Sequence, residues 1–227
     1  VYKFTGWSPS INTVATSDTT YTATYALEYI VLEAEDVVLN ANSVTVEKNT
    51  AASKGKVVRT KTGPTTTPTT DTAGDLGFTV PAETSGTYYV WIRTAITAGG
   101  RDEIWNSKNG AAYTSAPTLR WVQGYKNILP ENTRVEGSNT YSATETDFGW
   151  RRLSINNVTA GSDFNMRFIC KHANAILDMF IITTDKDYLP DATVIKDADV
   201  EETVQYTVTF YDEDGTTVLA TGTYEEG

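Results

Sequence analysis

The chain has 227 residues and a formal net charge of −11, with a single Cys and a single His. The acidic balance argues against general affinity for nucleic-acid phosphates or anionic membranes, and one Cys and one His exclude an internal disulfide and a His-rich metal centre. Aromatic residues make up 11% and Thr occupies 39 positions, which excludes a disordered chain and favours β-strands over helices.

The amino end alternates aromatic or β-branched residues with Thr. Residues 1–25 contain the sequences V-Y-K-F-T-G-W-S-P-S and T-T-Y-T-A-T-Y. Alternation with a period of two is typical of strands, so we expect a short β-rich segment before the main domain.

Two acids follow in the segment Y-I-V-L-E-A-E-D at residues 29–36. Glu33 and Glu35 are two positions apart, so on a strand both side chains point to the same face. Two carboxylates on one face repel each other unless a cation lies between them or water solvates them. The segment therefore predicts either a cation site or a solvated strand edge.

The middle of the chain is dense in strand patterns. Runs at residues 88–93, 164–170 and 179–182 are aromatic or β-branched and are bounded by turn-forming residues. The Pro- and Thr-rich residues 61–74 predict an exposed loop within the domain, with an extended linker as the alternative. Asp178 stands among apolar neighbours, where a buried carboxylate needs a partner or a metal ion. Short strands at this spacing predict a β-sandwich over residues 27–192.

The carboxyl end repeats the pattern of the amino end, with Y-T-V-T-F-Y before a hairpin-turn signal at Asp214-Gly215. Together with F-T-G-W-S-P and T-Y-T-A-T-Y, these words resemble a bacterial surface repeat of the internalin B type. The resemblance implies that residues 1–26 are the second half of one repeat and residues 193–227 a linker and the first half of another. It further implies a piece of a longer, secreted or cell-surface bacterial protein. The alternative is two generic Thr-rich hairpins.

The central domain carries several short motifs in a fixed order. They are E-A-E-D, A-S-K-G-K-V-V, F-T-V-P, G-T-Y-Y-V-W-I-R, F-G-W-R-R-L, T-A-G and I-L-D, across most of residues 29–190. This succession resembles the carbohydrate-binding modules of families 6 and 35. The resemblance implies an all-β, jelly-roll β-sandwich that binds polysaccharide as a monomeric module of a larger chain.

The same resemblance implies a structural calcium ion. Its ligands would be Glu33, Glu35 and Asp178, with backbone carbonyls from residues 49–55. Calcium takes six to eight oxygen ligands, which an oxygen-rich set of this kind supplies. Solvated acids at a strand edge remain the alternative for Glu33 and Glu35.

Sugar recognition needs aromatic planes for pyranose rings, with amides and charges for hydroxyls and carboxylates. The candidates that border loops are Arg93, Arg101, Trp105, Trp121, Trp150, Lys171, His172 and Asn174. Packing in the core is the alternative for each tryptophan. Arg forms bidentate hydrogen bonds with carboxylates, so the basic candidates favour an acidic plant polysaccharide such as pectin.

Motifs for catalysis are missing from the sequence. It contains no nucleophile elbow, phosphate loop, metalloprotease helix or Cys–His pair, and no run approaches the ~18 apolar residues of a membrane span. The sequence therefore predicts a non-catalytic binding module. An adhesin or structural spacer without sugar binding is the first alternative, and a polysaccharide lyase or hydrolase is the second.

Overall fold

The computed structural model describes residues 1–10, 20–64, 66, 68–69, 73–97, 104–115, 144–190, 192–195, 205–211 and 216–225. Within these residues the chain forms fifteen β-strands and two short 3-10 turns, Ser53–Gly55 and Ala192–Val194, and no α-helix. The strands are β1 Tyr2–Ser8, β2 Thr22–Leu27, β3 Ile30–Glu33, β4 Val38–Leu39, β5 Val44–Lys48, β6 Lys56–Thr60, β7 Leu76–Val80, β8 Gly86–Ala95, β9 Ile104–Lys108, β10 Thr114–Ser115, β11 Gly149–Val158, β12 Phe164–Cys170, β13 Ile176–Thr183, β14 Gln205–Tyr211 and β15 Val218–Glu225. The predicted all-β class is confirmed.

Two antiparallel sheets form the predicted β-sandwich. One has the strand order β11-β8-β13-β6-β5, with β3 paired to β13, and the other has the order β10-β9-β12-β7-β4. Phe78 and Phe168 of the five-stranded sheet meet Phe180 of the six-stranded sheet, with ring centroids 5.0 Å to 5.6 Å apart. The inner faces of the two sheets thus build the main hydrophobic core.

The outer face of the six-stranded sheet is also covered. Trp91, Trp150, Met179 and Ile181 pack there beneath Val194, so β8 and β13 are buried on both faces. Strands buried on both sides have continuous apolar runs rather than alternation, which explains why these two strands are easily recognised in the sequence.

The connection between β6 and β7 crosses from one sheet to the other. The described residues between Thr60 and Leu76 form no strand, in agreement with the loop expected at residues 61–74. This crossing lies at the end of the sandwich where the segment after Cys170 also passes. The two backbones approach closely there, since a Cβ added at Gly63 would lie only 1.9 Å from the carbonyl oxygen of Lys171.

A hairpin lies at each end of the chain. β1 pairs with β2 and β14 with β15, each as a separate two-stranded sheet. The amino-terminal hairpin contacts the sandwich, since the Tyr2 hydroxyl donates to Glu83 Oε1 at 2.6 Å. The turn signal Asp214-Gly215 lies outside the described residues, although the strands on either side of it pair. That the hairpins are halves of surface repeats stays a prediction.

Candidate functional site

A cluster of ionisable side chains lies on the outer face of the six-stranded sheet. We call Glu33, Glu35, Asp178 and Arg93 the carboxylate cluster. Glu33 ends β3, Asp178 lies near the start of β13, and Arg93 lies near the end of β8. β13 is the strand that pairs with both β3 and β8, so sheet formation alone brings three of the four residues together.

A β-bulge presents Asp178 to the cluster. In the pairing of β13 with β8, Leu177 lies opposite Thr94 and Met179 opposite Arg93, with a register shift between them. Asp178 is therefore an extra residue in the ladder, and a bulge of this kind redirects a side chain. Its carboxyl group is completely buried, at 0% exposure.

Ser53 connects two of the buried carboxylates. Its backbone N–H donates to Asp178 Oδ1 at 2.9 Å, and its hydroxyl donates to Glu33 Oε1 at 2.9 Å. Arg93 Nη1 donates to the other oxygen, Asp178 Oδ2, within an ion pair. Both oxygens of Asp178 are thereby satisfied, whereas each glutamate keeps unused acceptor capacity.

The prediction that Glu33 and Glu35 share a face of one strand is wrong for Glu35. β3 ends at Glu33, and the Asp36 N–H donates to the Glu33 carbonyl at 3.2 Å to close a turn. Glu35 occupies this turn, where burial raises the pKa of its carboxyl and the charge of Glu33 adds a smaller increase.

Burial raises the pKa of each acid in the cluster. It raises the pKa of Glu33, and it raises the pKa of Glu35 to about 6. Burial likewise raises the pKa of Asp178 to about 7, although the Arg93 guanidinium opposes the shift. Removing a carboxylate from water disfavours its charged form, so each of these acids is held in an environment that favours its protonated form.

The two glutamates of the cluster supply some, but not all, of the oxygen ligands that a hard cation needs. Within the described part of the chain, Oε2 of Glu33 and Oε2 of Glu35 are buried and accept no hydrogen bond. A cavity of about 410 Å³ borders Glu33, Asp36 and Lys54 and gives access from solvent. However, no three His, Cys, Asp or Glu side chains in the described ranges converge as a ready metal-binding group. The donor atoms fit calcium, but the ligand set is completed only if Asp178 or backbone carbonyls contribute.

Arg93 and Trp150, predicted at the sugar-binding loops, are buried instead. Arg93 is 7% exposed, contacts the Ala51 carbonyl at 3.3 Å to 3.4 Å, and lies 4.5 Å from the centroid of the Phe148 ring. Trp150 is 1% exposed beside Trp91, because the chain segment at Val194 covers this face of the sheet. Neither side chain offers an exposed surface to a sugar in this structure.

Trp105 lies at one end of the five-stranded sheet. Ile104 pairs with Cys170 and Trp105 with Ile169, which places the half-buried indole next to the chain that leaves β12. That chain continues directly into Lys171 and His172. The sheet register therefore brings an aromatic ring and a basic segment to the same end of the sandwich.

The loop between β12 and β13 is held at its base by β6. The Asn174 N–H donates to the Thr60 carbonyl at 2.7 Å, and the Thr60 hydroxyl donates to the His172 carbonyl at 2.9 Å. Asn174 adopts a φ of 64°, a left-handed conformation in which Asn is favoured. His172 and Asn174 are consequently exposed on a loop whose backbone is fixed.

Arg101 and Trp121, the remaining predicted sugar contacts, lie outside the described residues. Sequence reasoning missed Ser53 as the link between two acids. Its position in A-S-K-G-K-V-V gives no local signal, because both of its partners are distant in sequence.

No helix in the described ranges is long and apolar enough to cross a membrane. No family model and no curated protein matches the chain.

Several solved structures are similar to the sandwich. A family 35 carbohydrate-binding module from Clostridium thermocellum has 17% identity and a TM-score of 0.44, over 68% of this chain and 98% of that one. The exo-β-1,3-galactanase of Phanerochaete chrysosporium with galactose has 15% identity and a TM-score of 0.42, over 72% of this chain and 30% of that one. The C-terminal family 6 module of a marine laminarinase from Zobellia galactanivorans has 19% identity and a TM-score of 0.38, over 69% of this chain and 100% of that one. The sheet pairing described above establishes the fold itself.

Proposed function

We propose that this protein is a non-catalytic carbohydrate-binding module of a secreted or cell-surface bacterial protein. The observation that carries the proposal is the pairing of Trp105 with Ile169, two residues before Lys171, which places the indole near the start of the loop that holds His172 and Asn174. An indole supplies an apolar plane for a pyranose ring, while amide and imidazole groups hydrogen-bond to hydroxyls. The loop is anchored through Thr60, so little ordering is needed on binding.

The ligand we propose is a plant cell-wall polysaccharide with uronic-acid units, such as pectin. Lys171 supplies a basic residue two positions after Ile169, the partner of Trp105, in a chain whose net charge is −11. A local reversal of sign is the arrangement that selects an anionic group on the ligand. Arg101 is a further basic candidate from the sequence and lies outside the described residues.

We also propose that the carboxylate cluster binds a structural calcium ion. Glu33 and Glu35 would hold it through their unused oxygens, with Asp178 and carbonyls of residues 49–55 completing the set. The ion supplies fixed positive charge between β3 and β13 and takes no part in chemistry. Support comes from the buried oxygens of Glu33 and Glu35 that accept no hydrogen bond among the described residues, and from the burial of Asp178 beside them in the same part of the sheet.

The test of sugar binding is a glycan array that contains pectins, xylans, galactans and chitin, followed by affinity electrophoresis in the polymers retained. We expect retention by pectin or polygalacturonate, and a loss of about fivefold or more in affinity for Trp105→Ala, if stacking of a sugar ring on the indole matches the about 1–3 kcal/mol that stacking on aromatic side chains contributes. Trp7→Ala is the matched control, because Trp7 is 43% exposed on the amino-terminal hairpin.

If the array retains nothing and Trp105→Ala behaves as the wild type, the adhesin or spacer alternative replaces the proposal. Assays for reducing ends and for unsaturated uronic products should stay at background with every retained polymer. Turnover in either assay contradicts the non-catalytic role.

A further inference from the structure

A cavity separate from the one at Glu33 lies where the amino-terminal hairpin meets the sandwich. It has a volume of about 310 Å³ and is bordered by residues 25–28, 83–84 and 182–184, with Tyr88. We call it the hairpin cavity. The Tyr2 hydroxyl donates to Glu83 Oε1 at 2.6 Å, and the Thr183 hydroxyl donates to the Glu28 carbonyl at 2.7 Å. These contacts hold the hairpin in place, and the volume is within the range of small-molecule sites.

The floor of the hairpin cavity is apolar. Tyr88 and Ile182 are each 1% exposed. The Tyr88 hydroxyl is engaged by the backbone of Thr84, since it accepts from the Thr84 N–H at 3.3 Å and donates to the Thr84 carbonyl at 3.1 Å. The floor therefore supplies apolar contact rather than hydrogen bonds to a ligand.

An aromatic ring stands at the rim of the hairpin cavity. Tyr25 is 60% exposed, and its ring packs edge to face with Phe4, with the centroids 5.7 Å apart and an angle of 70° between the ring planes. This contact restrains the orientation of the Tyr25 ring. A restrained, exposed ring is suited to stacking against the apolar face of a sugar ring.

The charged groups of the hairpin cavity are both carboxylates. Glu28 and Glu83 line it, and the described lining residues include no lysine or arginine. In the described part of the chain, no ion pair joins either carboxylate to a basic side chain. A ligand that fits must therefore bring hydrogen-bond donors and positive charge, whereas a uronic acid is repelled.

We propose that the hairpin cavity is a second saccharide site, which binds a sugar with a free amino group such as a glucosamine unit. The sugar ring lies on Tyr25, and its ammonium group donates to the carboxylates of Glu83 and Glu28. The cavity lies at the end of β13, whereas the loop of Lys171 leads into the start of β13. The eight residues of β13 span about 25 Å at a rise of about 3.3 Å per residue. The two sugar sites are thus separate and select opposite charges.

The test compares Glu83→Gln with Glu47→Gln in the full chain. Glutamine keeps an oxygen that accepts from the Tyr2 hydroxyl, so the hairpin stays docked while the negative charge is lost. Glu47 lies on β5, at the edge of the six-stranded sheet, and its removal changes the net charge equally. Calorimetry measures the binding of the glucosamine disaccharide, its N-acetylated form and digalacturonate. An ionic strength of about 0.15 M screens long-range attraction to the acidic chain.

We expect the wild type to bind the glucosamine disaccharide about fivefold or more tightly than the other two, because hydrogen bonds between charged groups are about twice as strong as neutral ones. Glu83→Gln should lose a similar factor for the glucosamine disaccharide, and Glu47→Gln should match the wild type. Tyr25→Ala should weaken binding about two- to fivefold, the size of a contact between a cation and an exposed ring.

Tyr2→Phe separates the charge of Glu83 from the docking of the hairpin. It removes the hydrogen bond to Glu83 Oε1 but keeps the carboxylate, so the preference for the free amine over the N-acetylated form should remain. Loss of that preference in Tyr2→Phe would assign the effect to the docking of the hairpin and overturn the inference.

Equal affinity of Glu83→Gln and the wild type for the glucosamine disaccharide overturns the inference, as does a wild type that binds none of the three ligands. Butylamine that binds as tightly as the disaccharide overturns it too, because a sugar ring would then have no part in recognition. Retention of pectin by Glu83→Gln would leave the sugar site at Trp105 standing, so the two sites fail separately.

Discussion

Glu35 is a side chain whose hydrogen bonding is incomplete in the folded protein. Its Oε2 is buried without a hydrogen-bond partner in the described structure, and burial raises its pKa from 4.5 to about 6. The turn that carries Glu35 is closed by the hydrogen bond from the Asp36 N–H to the Glu33 carbonyl, which fixes the backbone of Glu35 next to Glu33. The contribution of Glu35 to the free energy of unfolding must therefore depend on pH and on any bound cation.

We predict that metal-free protein loses stability as the pH rises from 4.5 to about 6 through the ionisation of Glu35. An acid whose folded pKa is raised binds more protons in the folded state than in the unfolded state within this window. Stability is thus greatest at the acidic side and falls as Glu35 ionises. The measurement is the difference in free energy of unfolding between the wild type and Glu35→Gln as a function of pH. In this difference the contributions of the other carboxyl groups cancel. A difference that is constant or increases with pH contradicts the prediction.

The individual residues were predictable from sequence to different degrees. Asp178 stands out because an acid among apolar neighbours is costly to bury, and the structure shows it fully buried with partners. Arg93 and Trp150 could not be located, because each lies on a face that a distant segment covers. A strand pattern shows which side chains share a face but does not show what packs against that face.

At the level of elements, the loop between β12 and β13 depends on a single threonine of β6. The buried Thr60 hydroxyl donates to the His172 carbonyl and accepts from the Ala175 N–H, each at 2.9 Å. A loop that carries exposed His172 and Asn174 is thereby fixed to β6, which pairs with β13 in the six-stranded sheet. We infer that the geometry of the proposed sugar site depends on this anchor.

Thr60→Val should lower both stability and sugar affinity. Valine matches threonine in shape but leaves the Ala175 N–H buried without a partner, which costs about 1–3 kcal/mol. Urea denaturation measures the loss, and affinity electrophoresis measures the weaker binding that a loosened loop causes. Thr79→Val is the control, because the Thr79 hydroxyl bonds to Asn165 at the exposed surface. Equal effects of the two variants would show that the loop does not depend on Thr60.

Calcium should stabilise the protein by joining β3 to β13. A ligand that binds only the folded state adds about 2.7 kcal/mol at one hundred times its dissociation constant, so chelation should lower the melting temperature. Glu33→Gln should abolish the calcium-dependent shift. Asp36→Asn should retain it, since Asp36 is exposed and pairs with Lys54. A melting temperature that chelation leaves unchanged would contradict the proposed calcium site.

The elements were predicted better than their contacts. The runs at residues 88–93, 164–170 and 179–182 correspond to β8, β12 and β13. β8 and β13 are buried on both faces and leave continuous apolar patterns, whereas β12 starts with an alternation of buried and more exposed residues. The extent of β3 was not predictable, since a turn closed by backbone hydrogen bonds ends the strand within an alternating sequence. The bulge at Asp178 likewise follows from pairing with β8 rather than from local sequence.

For the whole molecule, charge acts at two distances. The net charge of −11 repels an anionic polymer at long range, whereas in the proposed sugar site Lys171 would attract an acid group at short range. Salt screens interactions beyond the Debye length, which shrinks from about 30 Å to about 10 Å between 0.01 M and 0.1 M ionic strength. Long-range repulsion is therefore reduced more than contact attraction.

We predict that affinity for polygalacturonate rises between about 0.01 M and 0.1 M ionic strength and that affinity for a neutral galactan stays constant. Affinity electrophoresis at each salt concentration measures both, and Lys171→Gln provides the test of the local charge. That variant should bind polygalacturonate more weakly at the higher salt, where the contact attraction dominates. A steady fall in wild-type affinity with salt would mean that local cations outweigh the molecular charge throughout. Equal salt dependence for the acidic and neutral polymers would contradict the acidic-ligand proposal, because the ligand charge would then have no part in binding.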